Sequence, residues 1–352
     1  MKKITISASK TYDILIEKGL LGKAGELALP VTGKVRAAVV SDDTVFSLYG
    51  EKLIRSLTDA GYTGITSFVI PHGEESKSLD SFTGLIAHLA ENGYTRSDVI
   101  FALGGGVVGD LAGFAAACYL RGVRFIQIPT TLLACVDSSV GGKTAVDIPQ
   151  GKNLVGAFHQ PSLVICDPEV LDTLPPETFA CGMAEVIKYG MISDRALFDL
   201  LTPPADPREN IETIIEMCVS DKAEVVRNDE FDTGMRQLLN LGHTIGHGVE
   251  ALSDFTVLHG EAVSIGMAIV TRAACAMGLC PEADRDALLA MLRHNRLPVT
   301  TDYAPEDIYR KSLSDKKRKG GSITLIVPYG IADSRLYPCP VETVLDFIRS
   351  GI

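Results

Sequence analysis

Residues 98–120 read DVIFALGGGVVGDLAGFAAACYL. An apolar run, residues 98–103, passes straight into Gly104-Gly105-Gly106, and residues 111–120 continue as an apolar helical pattern. An unbroken apolar run bounded by turn residues predicts a strand buried on both faces of a parallel sheet. Gly104, Gly106 and Gly109 satisfy GxGxxG. Glycine is needed where a backbone must approach a pyrophosphate, and the helix that follows offers free amides and the positive end of its dipole. The motif follows the third predicted strand, whereas the usual dinucleotide fingerprint opens the first βαβ unit. A tight strand–helix turn without a ligand is the competing reading.

Outward from this stretch the same texture repeats. Residues 3–16 alternate through Ile4, Ile6, Tyr12 and Ile14 and predict an opening β-hairpin. Residues 35–41, VRAAVVS, predict a buried strand ending at Asp42-Asp43. Asp42 suits a ribose hydroxyl or a helix cap equally. Residues 48–60 are helical in pattern, 65–70 form a strand stopped by Pro71, and 78–92 form a helix closed by Gly93. Two further strands, 124–128 and 163–166, end in Pro129-Thr130-Thr131 and Asp167-Pro168. Strands alternating with helices predict a parallel sheet covered on both faces. After about Leu174 the patterns at 179–191, 195–201, 210–225, 235–252, 260–277 and 282–294 are all helical, with one strand-like run at 322–327. The expected organisation is an α/β domain over residues 1–175 and an all-α domain over 176–352.

The 352 residues suit two domains of ordinary size. A net charge of −11 argues against general binding to nucleic-acid phosphates, while leaving room for a locally basic site. Eight scattered cysteines form no CxxC pair, which excludes a zinc ribbon or thioredoxin motif and suits a reducing cytosol. MKKITISASK lacks the apolar core of a signal peptide, and no run approaches 18 uninterrupted apolar residues, so neither secretion nor a membrane span is expected.

The polar chemistry gathers in a few places. RQLLNLGHTIGHGVEALSDFTVLHGE, residues 236–261, holds three of the seven histidines. His243 and His247, four apart, share a helix face, and His259 follows twelve residues later. Imidazoles converging from two elements suit a divalent ion such as zinc, with an open position if a carboxylate joins them. Ordinary surface or capped histidines at a Gly-rich helix start fit the spacing as well. Thr244, Ile245 and Gly246 fill the gap, so there is no HExxH and no metalloprotease signature. Residues 137–144, DSSVGGKT, follow a strand on the carboxyl side of the sheet. GGKT echoes the end of a P-loop, but Asp137 stands where GxxxxGK[ST] needs its first glycine. Lys152 and Asn153 add polar groups nearby. Glu185 and Lys188, at i and i+3, share a face of one helix, a pair that is most often a surface salt bridge. With Lys222, Arg236 and Lys316-Lys317 around the histidine stretch, the basic set hints at a substrate bearing carboxylate or phosphate.

At this point the sequence resembles the 3-dehydroquinate synthase family, the second enzyme of the shikimate pathway of aromatic amino acid biosynthesis. The matching runs are GGGVVGDLAGFAAACYLRGV, FIQIPTTLLACVDSSVGGKTAV, GKNLVGAFHQP, GMAEVIKYG, RQLLNLGHTIGHGVE and LHGEAV, spread over residues 70–265. Cys135 stands where glutamine is frequent and Cys118 where threonine or serine is usual, positions that carry no chemistry. The resemblance implies a Rossmann-like NAD domain followed by a helical metal and substrate domain. It implies Glu185, His243 and His259 as metal ligands, zinc most of all with cobalt as an alternative, and gives His247 a proton-handling and substrate-orienting place. It implies NAD contacts at His72, Gly73, Glu74, Glu75, Ser76, Lys77, Gly106, Val107, Val108, Gly109, Asp110, Thr130, Thr131, Lys143, Lys152 and Thr173, with Asp42 a further candidate. Substrate contacts are implied at Arg121, Asp137, Lys143, Asn153, Lys188, Lys222, Arg236, Asn240 and one of Lys316 or Lys317.

The implied reaction turns 3-deoxy-D-arabino-heptulosonate 7-phosphate into 3-dehydroquinate and phosphate. Oxidation at C5 by NAD acidifies C6, phosphate leaves, the hydride returns to C5, and ring opening with aldol closure ends the sequence. Family members are commonly cytoplasmic homodimers in which the arginine matching Arg121 reaches the phosphate of the neighbouring subunit. The alternatives are another sugar-phosphate cyclase such as 2-deoxy-scyllo-inosose synthase, a glycerol-dehydrogenase-like oxidoreductase with net NAD turnover, and a metal- or nucleotide-binding protein without turnover. Intact Lys222, Arg236 and Asn240 argue for a carboxylated substrate.

Overall fold

The structure is a computed structural model that describes residues 1–254, 256–313 and 321–352. Its elements run β1 (Lys2–Ile6), β2 (Tyr12–Ile16), α1 (Ala24–Thr32), β3 (Arg36–Asp42), α2 (Asp43–Val45), α3 (Glu51–Ala60), β4 (Thr63–Ile70), α4 (Leu79–Glu91), β5 (Val99–Gly104), α5 (Gly106–Cys118), β6 (Arg124–Pro129), β7 (Lys143–Ile148), β8 (Gly151–Phe158) and β9 (Leu163–Cys166). They continue as α6 (Pro176–Ile192), α7 (Arg195–Leu200), α8 (Ile211–Asn228), α9 (His243–Leu252), α10 (His259–Ala276), α11 (Glu282–His294), α12 (Pro305–Ser312), β10 (Ser322–Gly330), β11 (Asp333–Pro340) and α13 (Thr343–Gly351). The backbone divides into two compact units, Met1–Leu174 with Lys222–Phe231, and Pro175–Asp221 with Asp232–Ile352. A single cut after residue 175 was expected. The division found instead returns the last turns of α8 to the first unit.

The first unit is built on a seven-stranded sheet ordered β1-β2-β9-β6-β5-β3-β4. All neighbours are parallel except the β1–β2 hairpin at the edge. The apolar runs behave as read: every residue of β5 and of β9 is buried. From β3 the chain first moves outward to β4, then returns to β5 on the other side and on to β6. That reversal is a topological switch point, and open α/β sheets bind their ligands beyond the carboxyl ends of the strands at such a point.

A hairpin of this unit is not visible in the sequence pattern. Residues 143–158, to which the sequence pattern assigns no element, form the antiparallel hairpin β7–β8, with a register shift between Val146 and Ile148. The hairpin explains why α5 is apolar nearly all round. That helix packs against β5 and β6 on one side and β7 on another, so it has no wet stripe.

The second unit is largely helical as expected; the strand-like run at 322–327 is β10, and β11, which the pattern did not show, pairs with it as an antiparallel hairpin. The helix expected over 235–252 is broken. Met235–Asn240 is a 3-10 turn, and α9 starts afresh at His243 behind Gly242, whose φ of 78° favours glycine. A Cβ on Gly242 would lie 2.7 Å from Val263 O of α10. A Cβ on Gly260 would lie 2.3 Å from Cys181 O of α6. These two glycines let α9, α10 and α6 approach backbone to backbone, which is what brings the side chains of three helices to one point.

Candidate active site

In the first unit these candidate cofactor residues lie at the carboxyl ends of neighbouring strands: Asp42 as the last residue of β3, residues 72–77 after β4, Gly106–Asp110 after β5, and Thr130-Thr131 after β6. The first bond of α5 runs from Gly109 N to Gly105 O at 3.0 Å, so the amides of Gly106, Val107 and Val108 precede the helical ladder. The Val108 side chain is buried in the core, leaving only its backbone for a ligand. Thr130 is 2% exposed, and its Oγ1 is buried with no hydrogen-bond partner among the described residues. A buried hydroxyl in that state beside a helix N-terminus fits a polar cofactor seated at the carboxyl ends of these strands. Asp42 acts as a helix cap, its Oδ1 accepting from Val45 N at 2.9 Å. Thr173 pairs with Tyr49 Oη at 2.7 Å. His72 donates its backbone N–H to Asp43 Oδ1 at 3.1 Å, with its ring Nδ1 2.9 Å from the same oxygen.

Lys77 is the buried centre of this half. Its Nζ lies 2.6 Å from Asp110 Oδ2, 2.5 Å from Asn153 Oδ1 and 3.9 Å from Glu74 Oε1. Burial pulls the ammonium's pKa down, but Asp110 and Glu74 more than offset that, and it stands above the usual lysine value. Lys152 Nζ joins Glu74 at 3.6 Å. Asn153 has a φ of 58°, a left-handed conformation, and donates its N–H to Asp147 Oδ1 at 2.7 Å. Asp147 was not among the expected residues; its two-way tie to Asn153 and to Lys77 O, 2.7 Å from Asp147 N, depends on the hairpin that the pattern hid. Gly73 (φ 105°) opens the short turn Glu74–Ser76, with Glu75 exposed and Ser76 buried. Lys222, 5% exposed, donates from Nζ to Asp137 Oδ1 at 2.9 Å and to Asp137 O at 2.7 Å, joining two of the expected substrate residues. Lys143 opens β7 with its side chain exposed, Thr131 Oγ1 accepts from Ala134 N, and Arg121 is exposed with a φ of 67°.

In the second unit α6, α9 and α10 each contribute one group to a cluster. Glu185, 1% exposed, places Oε1 3.6 Å from His243 Nε2 and 3.5 Å from His259 Nε2. The facing atoms of these three residues lie within 4.8 Å of one another. Ligands at about 2.0–2.2 Å from one tetrahedral ion would lie roughly 3.3–3.6 Å apart, so the spacing and the two-imidazole, one-carboxylate donor set fit a zinc-like ion with a position left open. His243 Nδ1 lies 3.1 Å from Leu241 O, which fixes its tautomer and leaves Nε2 as the donor atom. Burial pushes His243 down to about 3, so the ring is neutral at pH 7, the ligating form. Burial also opposes charge on His259, but Glu185 and Glu250 prevail and raise it to about 9.

Helix spacing paired His243 with His247. The two rings do lie 5.4 Å apart, but at 87° to one another and with His247 exposed. An i, i+4 pair shares a face without aiming both rings at one point, and it is Glu185 and His259 from other helices that meet His243. His247 falls in a second, overlapping donor group with Glu250 and His259. Glu250 was missed, although its position seven residues after His243 puts it on the same helix face. Lys188, an implied substrate contact whose pairing with Glu185 would by spacing alone most often be a surface salt bridge, is 1% exposed with Nζ 2.5 Å from Glu185 Oε2. Arg236, 2% exposed, and Asn240 lie on the 3-10 turn just before α9. Lys316 and Lys317 lie outside the described residues.

The family model for the N-terminal part of 3-dehydroquinate synthase matches residues 67–181, and that for the C-terminal part matches 182–318. A 3-dehydroquinate synthase of Caulobacter vibrioides is 46% identical over 345 residues, covering 92% of this chain and 91% of its own. One from Pelobacter propionicus is 43% identical and covers 98% of both. Among solved structures, 2-deoxy-scyllo-inosose synthase complexed with carbaglucose-6-phosphate, NAD+ and Co2+ is 27% identical, with a TM-score of 0.89 over 100% of each chain. A 2-epi-5-epi-valiolone synthase of Streptomyces hygroscopicus with NAD+ and Zn2+ bound is 30% identical, with a TM-score of 0.88 over 98% of this chain and 99% of that one. Glycerol dehydrogenase of Schizosaccharomyces pombe, 18% identical at a TM-score of 0.67, shares the fold alone. With both family models side by side over most of its length and relatives this similar end to end, the chain belongs to the 3-dehydroquinate synthase family.

Proposed function

We propose that this chain converts 3-deoxy-D-arabino-heptulosonate 7-phosphate to 3-dehydroquinate and phosphate, with NAD held by the first unit and one divalent ion, zinc or cobalt, held by Glu185, His243 and His259. The observation that carries the reading is Glu185 Oε1 within 3.6 Å of both imidazole Nε2 atoms. When bound, the dinucleotide supplies a hydride acceptor and donor and the ion supplies a Lewis acid for the hydroxyl being oxidised. The amides of Gly106–Val108 would take the pyrophosphate, and Thr130 Oγ1, which has no hydrogen-bond partner among the described residues, would be free to bond the cofactor. Lys77 neutralises Asp110 and holds Asn153 in place, so these groups are fixed before any ligand arrives. Lys188, Lys222, Arg236 and Asn240 bind the anionic ends of the substrate, the arginine fork suiting a carboxylate or phosphate. His247, exposed next to the metal cluster, moves protons to and from the substrate.

The 43–46% identity to 3-dehydroquinate synthases, against 27–30% to the two other cyclases, favours the carboxylated heptulosonate as substrate. The working assembly is a cytoplasmic homodimer, in keeping with the family; no helix among the described residues is long and apolar enough to cross a membrane. The test is phosphate release from the heptulosonate phosphate with a catalytic amount of NAD. Many turnovers per NAD without accumulating NADH are expected. NADH formed in step with substrate consumed would make the chain a dehydrogenase, and turnover of glucose 6-phosphate instead would make it an inosose synthase.

A further inference from the structure

The ring of His259 has a carboxylate on each side. Its Nε2 faces Glu185 Oε1 and its Nδ1 faces Glu250 Oε2, each at 3.5 Å. We infer that Glu250 is a positioning residue of the metal site: its carboxylate holds the Nδ1–H of His259 and so presents Nε2 as the lone-pair donor. The inference rests on the reading of Glu185, His243 and His259 as the metal-holding set.

Three observations support it. Glu250 is 4% exposed, and a carboxylate is buried at a cost that needs a polar purpose. It lies on α9 seven residues after His243, so one helix face supplies both a ligand and the group behind the ligand from α10. The other imidazole is held in the same way, since His243 Nδ1 lies against Leu241 O. An imidazole that ligates through one nitrogen needs the other anchored, and a carboxylate there raises its basicity as well.

The rival reading makes Glu250 itself a ligand. His247, Glu250 and His259 have donor atoms within 4.8 Å of one another and would suit a second ion. That ion would need the Nδ1 lone pair of His259, which is not available while Nδ1 carries the proton it offers Glu250. The first role is therefore favoured wherever His259 already ligates through Nε2.

The experiment uses the full chain freed of metal by a chelator. Zinc affinity and stoichiometry are measured by competition with a chromophoric chelator for wild type, Glu250→Gln, Glu250→Ala and Glu250→Asp. The expected result is one tight ion per chain throughout, with affinity about 10- to 100-fold weaker in the Gln and Ala variants and partly restored in Asp. The glutamine is nearly isosteric, so it carries the test if the alanine variant does not fold. Unchanged affinity in Glu250→Gln would overturn the inference. So would two ions in wild type falling to one in Glu250→Gln with the tight site intact, which would make Glu250 a ligand. Glu185→Ala and His259→Ala serve as the reference: if they also keep full affinity, the metal site itself is misplaced, whereas if they lose zinc and Glu250→Gln does not, only the role of Glu250 fails.

Discussion

Lys188 Nζ lies 2.5 Å from Glu185 Oε2, and both side chains are 2% exposed, while the other oxygen of the same carboxylate faces His243 and His259. One buried carboxylate thus serves a cation on one side and a pair of imidazoles on the other. The ammonium fixes the carboxylate's rotation and leaves Oε1 for an ion. It also repels that ion through a medium of low dielectric. Lys188→Met should therefore keep the metal, with an affinity equal to or up to about tenfold tighter than wild type, while phosphate release falls by about a hundredfold or more. Chelator competition and turnover measured on one preparation check the split. Loss of metal together with activity would mean that Lys188 serves only to hold Glu185.

The two imidazoles of the cluster stand in opposite protonation states without metal, His243 down to about 3 and His259 up to about 9. At pH 7 His243 can ligate at once, and His259 must first lose its Nε2 proton. Zinc uptake at pH 7 should release about one proton per ion, and apparent affinity should rise with pH until His259 is neutral, near 9. Calorimetry in buffers of different ionisation enthalpy reads this directly. No proton release would place the neutral form of both rings in the metal-free chain.

Asp221, in the second unit, offers a pH signature away from the metal. Burial, reinforced by Asp194 nearby, raises its carboxyl to about 7, and its Oδ2 has no hydrogen-bond partner among the described residues. Asp194 is held by its own duty as the cap of α7, accepting from Leu197 N at 2.9 Å. A carboxyl raised in the folded state adds stability below its unfolded pKa and loses it as pH rises through the folded value. Asp221→Asn should therefore leave stability at pH 4 nearly unchanged and add about 1 kcal/mol at pH 8, a figure reduced for the partial exposure of the group. Urea melts at the two pH values decide it, and an equal effect at both would refute the shift.

What could be read from the sequence follows the range of the interactions involved. The strand–glycine–helix stretch at 98–120 was legible because its apolar run, its glycines and its helix are neighbours in the chain. That β3, β4, β5 and β6 run parallel follows from the alternation of strands and helices, whereas their order in the sheet does not. Residues 143–158 were not legible as a hairpin, since Lys143, Asp147, Lys152 and Asn153 interrupt the apolar alternation, and Asp147 accepts instead from Asn153 N. α1 was also missed; it carries Pro30 in its interior. At the metal cluster, helix spacing could place His243, His247 and Glu250 on one face, but not choose among them. The choice is made by Glu185, 58 positions before His243 in the chain, and by the backbone contacts at Gly242 and Gly260 that close three helices together. The family resemblance supplied that long-range pairing where periodicity had no access to it.

Arg121 bears on the assembly. It ends the short turn Tyr119–Arg121 after α5, exposed, with a φ of 67° following Leu120 at 49°. Two successive left-handed residues without glycine are costly, and backbone held in that form is more often functional than incidental. A cation at the end of α5 would also favour the helix dipole, and that alone would account for its charge but not for the backbone. The proposal is that the guanidinium serves the phosphate site of a second copy across a two-fold axis, so that each site borrows one arginine. Arg121→Ala and His243→Ala should each lower turnover strongly when tested alone. Co-refolded in equal amounts, the two variants form about half mixed dimers if pairing is random. In a mixed dimer with the arginine acting across the interface, one site carries both defects and the other carries neither. About a quarter of all sites would then be intact, and activity should recover to about that fraction of wild type. If subunit exchange is verified and no activity returns, Arg121 acts within its own subunit, and the left-handed turn serves the fold of the α5–β6 connection alone.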